Sequence, residues 1–203
     1  MAKEKKNLIT PKFRASFASV WEPKESLGGK KSYRLTMLFP KDSTDISELR
    51  ALVKEAVLDR WPNDDKRPKG LINPIKDGDT DTMQDGTVRC VKYPEMKGCW
   101  IVNAMSMRKP QIVDHNVQDI LDQNEFYSGC YARASVNAFT YAPDKANPQK
   151  KYGVGIGLNN VQKLGDGERF AGGTNAKDDF AAVESTNPPA GAEAADSEGD
   201  MFA

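Results

Sequence analysis

Between residues 129 and 141, small or apolar residues alternate with aromatic, polar and cationic ones. On a strand, Cys130, Ala132, Ala134, Val136 and Ala138 share one face, and Tyr131, Arg133, Ser135, Asn137, Phe139 and Tyr141 share the other. If the alanines fill an interior, parity turns Arg133 and Phe139 outwards. Rings on an open strand face stack against unpaired nucleic-acid bases, contributing roughly 1–3 kcal/mol each, while cations neutralise phosphates. Trp21, Tyr33, Arg34, Tyr93, Trp100, Arg108 and Lys109 offer the same chemistry. The opposite packing, with rings in the core and small residues under a loop, stays open for any single aromatic.

Residues suited to catalysis or metal binding are few. His115 is the single histidine, so no paired-histidine metal motif exists, and it sits in a polar turn, Val113-Asp-His-Asn-Val117. Cys90, Cys99 and Cys130 could join His115 around zinc, but no two cysteines have CxxC spacing; buried thiols are the simpler reading. Asp77, Asp79 and Asp81 begin like a calcium loop, yet Thr82 stands where glycine is required and Val88 where the closing glutamate belongs. They are candidates for a metal-dependent nuclease site, against the simpler reading of a solvated acidic turn. Gly153 and Gly155 look like the start of a dinucleotide fingerprint, but Leu158 replaces its third glycine and no helix signal follows. No enzymatic activity, cofactor or metal is expected.

The elements that must position these residues can be read from periodicity. From Lys12 the sequence alternates, with Phe13, Ala15, Phe17, Ser19 and Trp21 on one strand face and Arg14, Ser16, Ala18 and Val20 on the other. After a turn over residues 22–30, Tyr33, Leu35, Met37 and Phe39 form one face of a second strand that ends at Pro40. Ile46, Leu49, Val53, Ala56 and Val57 recur at helical spacing, which predicts a helix over 45–60 with Asp45 and Glu48 as a capping box and Trp61-Pro62 as its stop. Residues 62–98 form a long polar loop with short strands expected near 71–75 and 88–91. Further strands are expected at 99–105, 111–114, 129–141 and 152–161. In the last, Gly153, Gly155 and Gly157 alternate with Val154, Ile156 and Leu158, so a backbone or ligand can approach closely. Many strands, one helix and frequent turns predict a small barrel or sandwich.

Charge separates the chain into parts. Residues 176–203 hold seven acids and one lysine, so the remainder of a chain with 29 bases and 29 acids carries 28 bases against 22 acids. A basic body with an acidic arm suits a polyanion binder, and uneven surface charge is the plainer alternative. Residues 1–10 read as a basic frayed leader, 11–175 as the folded domain, and 176–203 as a tail too poor in apolar residues to fold. No apolar run reaches the roughly 20 residues of a membrane span. Three cysteines form no even framework, which fits a reducing compartment.

Three phrases are informative together: Asn103-Ala-Met-Ser-Met-Arg-Lys-Pro110, Glu125-Phe-Tyr-Ser-Gly-Cys-Tyr-Ala-Arg-Ala-Ser135 and Gly157-Leu-Asn-Asn-Val-Gln-Lys-Leu164. They resemble a family of tailed-bacteriophage proteins, formerly a domain of unknown function, that bind single-stranded DNA through an OB fold. Trp21-Glu-Pro-Lys, Gly28-Gly-Lys-Lys-Ser-Tyr, Gly172-Gly-Thr and Asp178-Asp-Phe-Ala181 add to a likeness spanning about residues 10–181. The resemblance implies a mainly β, OB-fold-like five-stranded barrel with one helix, long loops and a disordered acidic C-terminal tail. It implies a protein that coats single-stranded DNA, whatever its sequence, during replication, recombination or repair in the bacterial host cytoplasm, with duplex DNA a weaker ligand. It also implies that Asp196, Glu198, Asp200 and Phe202 dock replication or recombination proteins, although Ala203 follows the phenylalanine that usually ends such tails. An OB barrel places its helix after the third strand, whereas the helix at 45–60 follows the second. Two other classes stay open, the nuclease above and a structural or interaction protein of the virion.

Overall fold

Five long strands pair in a closed cycle. In chain order the strands are β1 (Leu8–Ile9), β2 (Phe13–Glu25), β3 (Lys31–Pro40), β4 (Ile75–Asp77), β5 (Cys99–Ser106), β6 (Gln111–Val113), β7 (Tyr131–Tyr141) and β8 (Gly153–Gly165), with helices α1 (Ser47–Arg60) and α2 (Arg89–Lys92). The computed structural model describes residues 6–25, 29–143 and 151–170. β2 pairs β3, β3 pairs β5, β5 pairs β8, β8 pairs β7, and β7 returns to β2. Only the β5–β8 junction of this ring is parallel. That is the Greek-key closure of an OB fold. β1, β4 and β6 extend the sheet beside β7, β5 and β8.

Alternating apolar residues build the interior. β3 and β5 pair continuously from Tyr33 opposite Ser106 to Pro40 opposite Cys99, which sends Leu35, Met37, Phe39, Val102 and Ala104 into the core. Phe13 of β2 meets Phe39 edge to face at 5.6 Å. Ala132, Ala134 and Val136 of β7 and Ile156, Leu158 and Val161 of β8 complete the lining. The expected helix forms, and its buried Leu49 and Leu52 join the same cluster with Ile46. It lies between the second and third strands of the ring.

Four local expectations are corrected. Phe17 does not share the buried face of Phe13 and Ala15: the register of β2 on β3 shifts between Ser16 and Ser19, so the parity flips, Val20 is buried, and Phe17 stands 45% exposed. A bulge inserts an unpaired residue, and Phe17 takes a φ of +45° there, a conformation that costs on the order of 1–3 kcal/mol for a bulky residue. Asp45 and Glu48 form no capping box. Asp45 instead accepts the backbone N–H and the hydroxyl of Ser47, each at 2.8 Å, which holds its carboxyl below the usual range. Residues 89–92 are a helical turn rather than a strand. Leu8 and Ile9 pair with Val136 and Ser135, so pairing begins inside the segment read as a frayed leader.

The long segment 62–98 is anchored by ion pairs. Lys41 binds both Asp77 and Asp79, the latter at 2.7 Å. Lys76 and Arg89 bind Asp81 at 3.0 and 2.7 Å. Beneath this arm, Leu38, Met96, Cys99 and Ile101 form a second apolar cluster on the outer side of β3 and β5, with Tyr93 and Phe170 against it.

Candidate nucleic-acid interface

The β7 alternation emerges over residues 131–136 and breaks at Asn137, which is buried, and Ala138, which is half-buried, after the register on β8 shifts between Ser135 and Val136. Ala132, Ala134 and Val136 are buried, while Tyr131 and Arg133 are exposed. Farther along, Phe139 and Tyr141 are half-buried. They lie across the glycines of β8, because Phe139 pairs with Gly155 and Tyr141 with Gly153. A Cβ on Gly155 would come within 2.6 Å of Phe139 Cζ, and one on Gly157 within 2.6 Å of Asn137 Oδ1. The glycine row therefore makes room for side chains of the neighbouring strand. Burial pushes the Tyr141 phenol up. Arg133 donates from Nε to Gln162 Oε1 at 2.7 Å, and Gln162 donates to the Asp114 carbonyl.

Tyr131 stands at the head of a cationic groove. Lys12 Nζ lies 5.3 Å and the Arg14 guanidinium 5.4 Å from its ring centre, both within cation–π range. A groove of about 570 Å³ beside them is lined also by Ser43, Thr44 and Asp45. Arg14 donates to the carbonyls of Gly129 (3.2 Å) and Glu168 (2.7 Å) and stacks on Phe170 at 4.2 Å. Arg169 stacks on Tyr127 at 3.7 Å, and Tyr127 donates to Asp166 at 3.0 Å. These contacts strap residues 166–170 across the ring, with Phe170 on the second apolar cluster. Gly129, at a φ of +120°, leaves no space for a side chain against Glu168.

A second group gathers along the outer edge of β2, β3 and β5. Tyr33 and Arg34 pair with Ser106 and Met105. Exposed Arg108 and Lys109 follow directly. Lys109 Nζ lies 5.6 Å over the Trp21 ring, and Trp21 donates from Nε1 to the Phe126 carbonyl at 3.1 Å. Tyr93 meets Phe17 edge to face at 5.0 Å. Trp100 stands apart from this group. It packs against the core, with Lys41 at 4.9 Å and Arg50 at 4.5 Å from its ring. Sequence reasoning missed Lys12 and Arg14, which sit beside Tyr131 only because β2 pairs β7 there. It also missed the Trp61–Tyr152 contact at 6.0 Å, which joins two loops distant in sequence. Asp196, Glu198, Asp200 and Phe202 lie outside the described residues.

The acids proposed for a nuclease have another partner set. Lys41 holds the carboxyls of Asp77 and Asp79 below the usual range, with the Gly98 N–H adding to the effect on Asp79. Burial works to raise Asp81, but Arg89 and Lys76 outweigh it and the carboxyl is lowered. Each of the three carboxylates is ion-paired to an ammonium or guanidinium group. Among the described residues no cluster of three or more His, Cys, Asp or Glu side chains is arranged to hold a metal. Cys99 and Cys130 are buried thiols, both pushed up by burial.

A closed five-stranded OB ring bearing exposed rings and cations defines the class as a nucleic-acid-binding OB protein. The chain belongs to the single-stranded-DNA-binding family described from Enterobacter phage Enc34, whose model matches residues 6–189. That function is binding, not catalysis. Solved structures share the fold. The single-stranded DNA-binding protein of bacteriophage Enc34, in complex with single-stranded DNA, is 21% identical with a TM-score of 0.64, covering 81% of this chain and 89% of that one. A C-terminal truncation of the same protein gives 22% and 0.61 over 81% and 88%. The single-stranded DNA-binding protein gp2.5 of bacteriophage T7 gives 13% and 0.56 over 90% and 97%. No curated protein sequence matches the chain. No helix among the described residues is long and apolar enough to cross a membrane.

Proposed function

We propose that the protein coats single-stranded DNA irrespective of sequence, with Tyr131, Phe139 and Tyr141 stacking bases and Arg108, Lys109 and Arg133 neutralising phosphates. The supporting observation is the β7 face, where buried alanines alternate with exposed Tyr131 and Arg133 beside Lys12 and Arg14. Trp21, Tyr33, Arg34 and Tyr93 extend this surface along β2, β3 and β5. Trp100, flanked by Lys41 and Arg50, contributes at its margin. Stacking needs unpaired bases, so duplex DNA binds more weakly. The protein acts in the cytoplasm of the bacterial host during phage replication, recombination or repair.

The acidic tail has two roles in this reading. Its seven carboxylates compete with DNA for the basic body, and Asp196, Glu198, Asp200 and Phe202 dock replication or recombination proteins. Competition binding of single- against double-stranded oligonucleotides over a salt series tests the central claim. Affinity favours the single strand and falls steeply with salt as counterions are released. Salt-insensitive binding, or a preference for duplex, sinks it. A chain ending at Thr174 binds DNA more tightly than the full chain; equal affinities leave partner docking as the tail's role.

A further inference from the structure

Phe17 combines two features that a structural aromatic avoids. Its ring is 45% exposed, and its backbone lies at a φ of +45°, where a bulky residue is an outlier. Such strain persists where the surroundings over-determine it, and it concentrates at ligand clamps. The surroundings here do so from both edges of β2. On one side Ser16 pairs with Thr36 and Ser19 with Arg34. On the other, Ala18 donates its N–H to Ser128 Oγ at 3.1 Å and Trp21 donates to the Phe126 carbonyl at 3.1 Å. Four ties thus hold one unpaired residue up from the strand.

The ring so lifted is neither free to collapse nor covered. Tyr93 meets it at 5.0 Å with planes at 88°, and Tyr93 is itself seated on the buried cluster of Leu38, Met96, Cys99 and Ile101. The polar surroundings suit a sugar-phosphate backbone. Arg34 lies across from Ser19, and Lys92 Nζ is 5.8 Å from the Tyr93 ring. We infer that Phe17 is a base-stacking platform for single-stranded DNA, raised by the bulge and buttressed by Tyr93. This rests on the single-strand reading above and adds a contact on the outer face of β2.

The test measures binding of an oligothymidylate and of the same oligomer with abasic positions, to the wild type, Phe17→Leu and Phe17→Tyr. Circular dichroism confirms that each variant is folded. Phe17→Leu weakens binding of the intact oligomer about five- to a hundredfold, the range of one stacked base, and Phe17→Tyr restores it. Abasic positions weaken the wild type more than they weaken Phe17→Leu, because the leucine variant has less stacking to lose. If the wild type binds but all three proteins agree on both oligomers, Phe17 is not a platform and the wider single-strand reading survives. If the wild type fails to bind the intact oligomer, both readings fall. Should Phe17→Leu misfold, Phe17→Asn, which lacks the ring and tolerates the left-handed backbone, takes its place: weaker binding and smaller abasic discrimination in a folded asparagine variant support stacking, and affinities equal to the wild type on both oligomers contradict it.

Discussion

Phe139 and Gly155 form a unit in which a ring on one strand occupies the space of a missing side chain on the next. Phe139→Ala removes the stacking surface but leaves the backbone pairing, so single-strand affinity falls by about 1–3 kcal/mol in a variant that still folds, with a lower melting temperature from the lost packing over Gly155. Gly155→Ala keeps the ring but inserts a Cβ within 2.6 Å of it, which forces the ring to move and costs about 1–3 kcal/mol in denaturant titration, as overpacking does. Residue-scale parity on β7 was legible because small residues at 132 and 134 and bulky polar ones at 131 and 133 leave a single sensible orientation. The glycine row was half legible. Spacing showed that something approaches closely, but the occupant belongs to a partner strand whose register no local pattern specifies. Phe17 was misread for a related reason, since a bulge leaves the alternation of residue types intact while reversing which of them faces the core.

At the scale of elements, the arm over residues 77–98 depends on charge. Lys41, Lys76 and Arg89 hold Asp77, Asp79 and Asp81 with lowered pKa values. A carboxyl lowered on folding stabilises the native state above its unfolded value of about 3.9, and that contribution is lost as pH falls through the lower folded value. Hydrogen exchange in residues 77–98, corrected for its intrinsic pH dependence, therefore stays slow relative to the unfolded chain at neutral pH and accelerates on that scale below about pH 4, ahead of the ring strands. Lys41→Met should accelerate it at every pH above that point; unchanged exchange would show that the apolar cluster alone holds the arm. The strap has a comparable anchor in Arg14, which is bonded to two carbonyls. Arg14→Ala exposes residues 166–170 to protease and lowers stability by about 1.5–3 kcal/mol, the range for charged hydrogen bonds. The helix at 47–60 was readable from its apolar spacing and its proline stop. The turn at 89–92 was not, because Val88 and Val91 suggest a strand while the ion pair between Arg89 and Asp81 fixes a helical turn through a residue eight positions earlier.

At the scale of the whole molecule, uneven charge explains how a chain with no net charge binds a polyanion: the body carries 28 bases against 22 acids and the tail seven acids against one base, and the described domain presents cations beside rings. The class of fold was legible from the strand count and turn frequency, and the family from phrases in the second half of the chain. Closure of the ring came from the resemblance alone and not from periodicity, because it depends on pairings between strands far apart in sequence. β8 closes the ring. Among the described residues it is the last strand made, yet it joins the ring to itself on both sides, antiparallel to β7 and parallel to β5. A nascent polypeptide lacking residues 153–165 exposes two unpaired edges and an open interior, so it cannot complete the barrel however long it waits. Ring closure thus waits for this strand, and contacts of such long sequence separation place refolding in the millisecond-to-second regime. During that interval an infected cell would hold chains able to aggregate but unable to cover DNA.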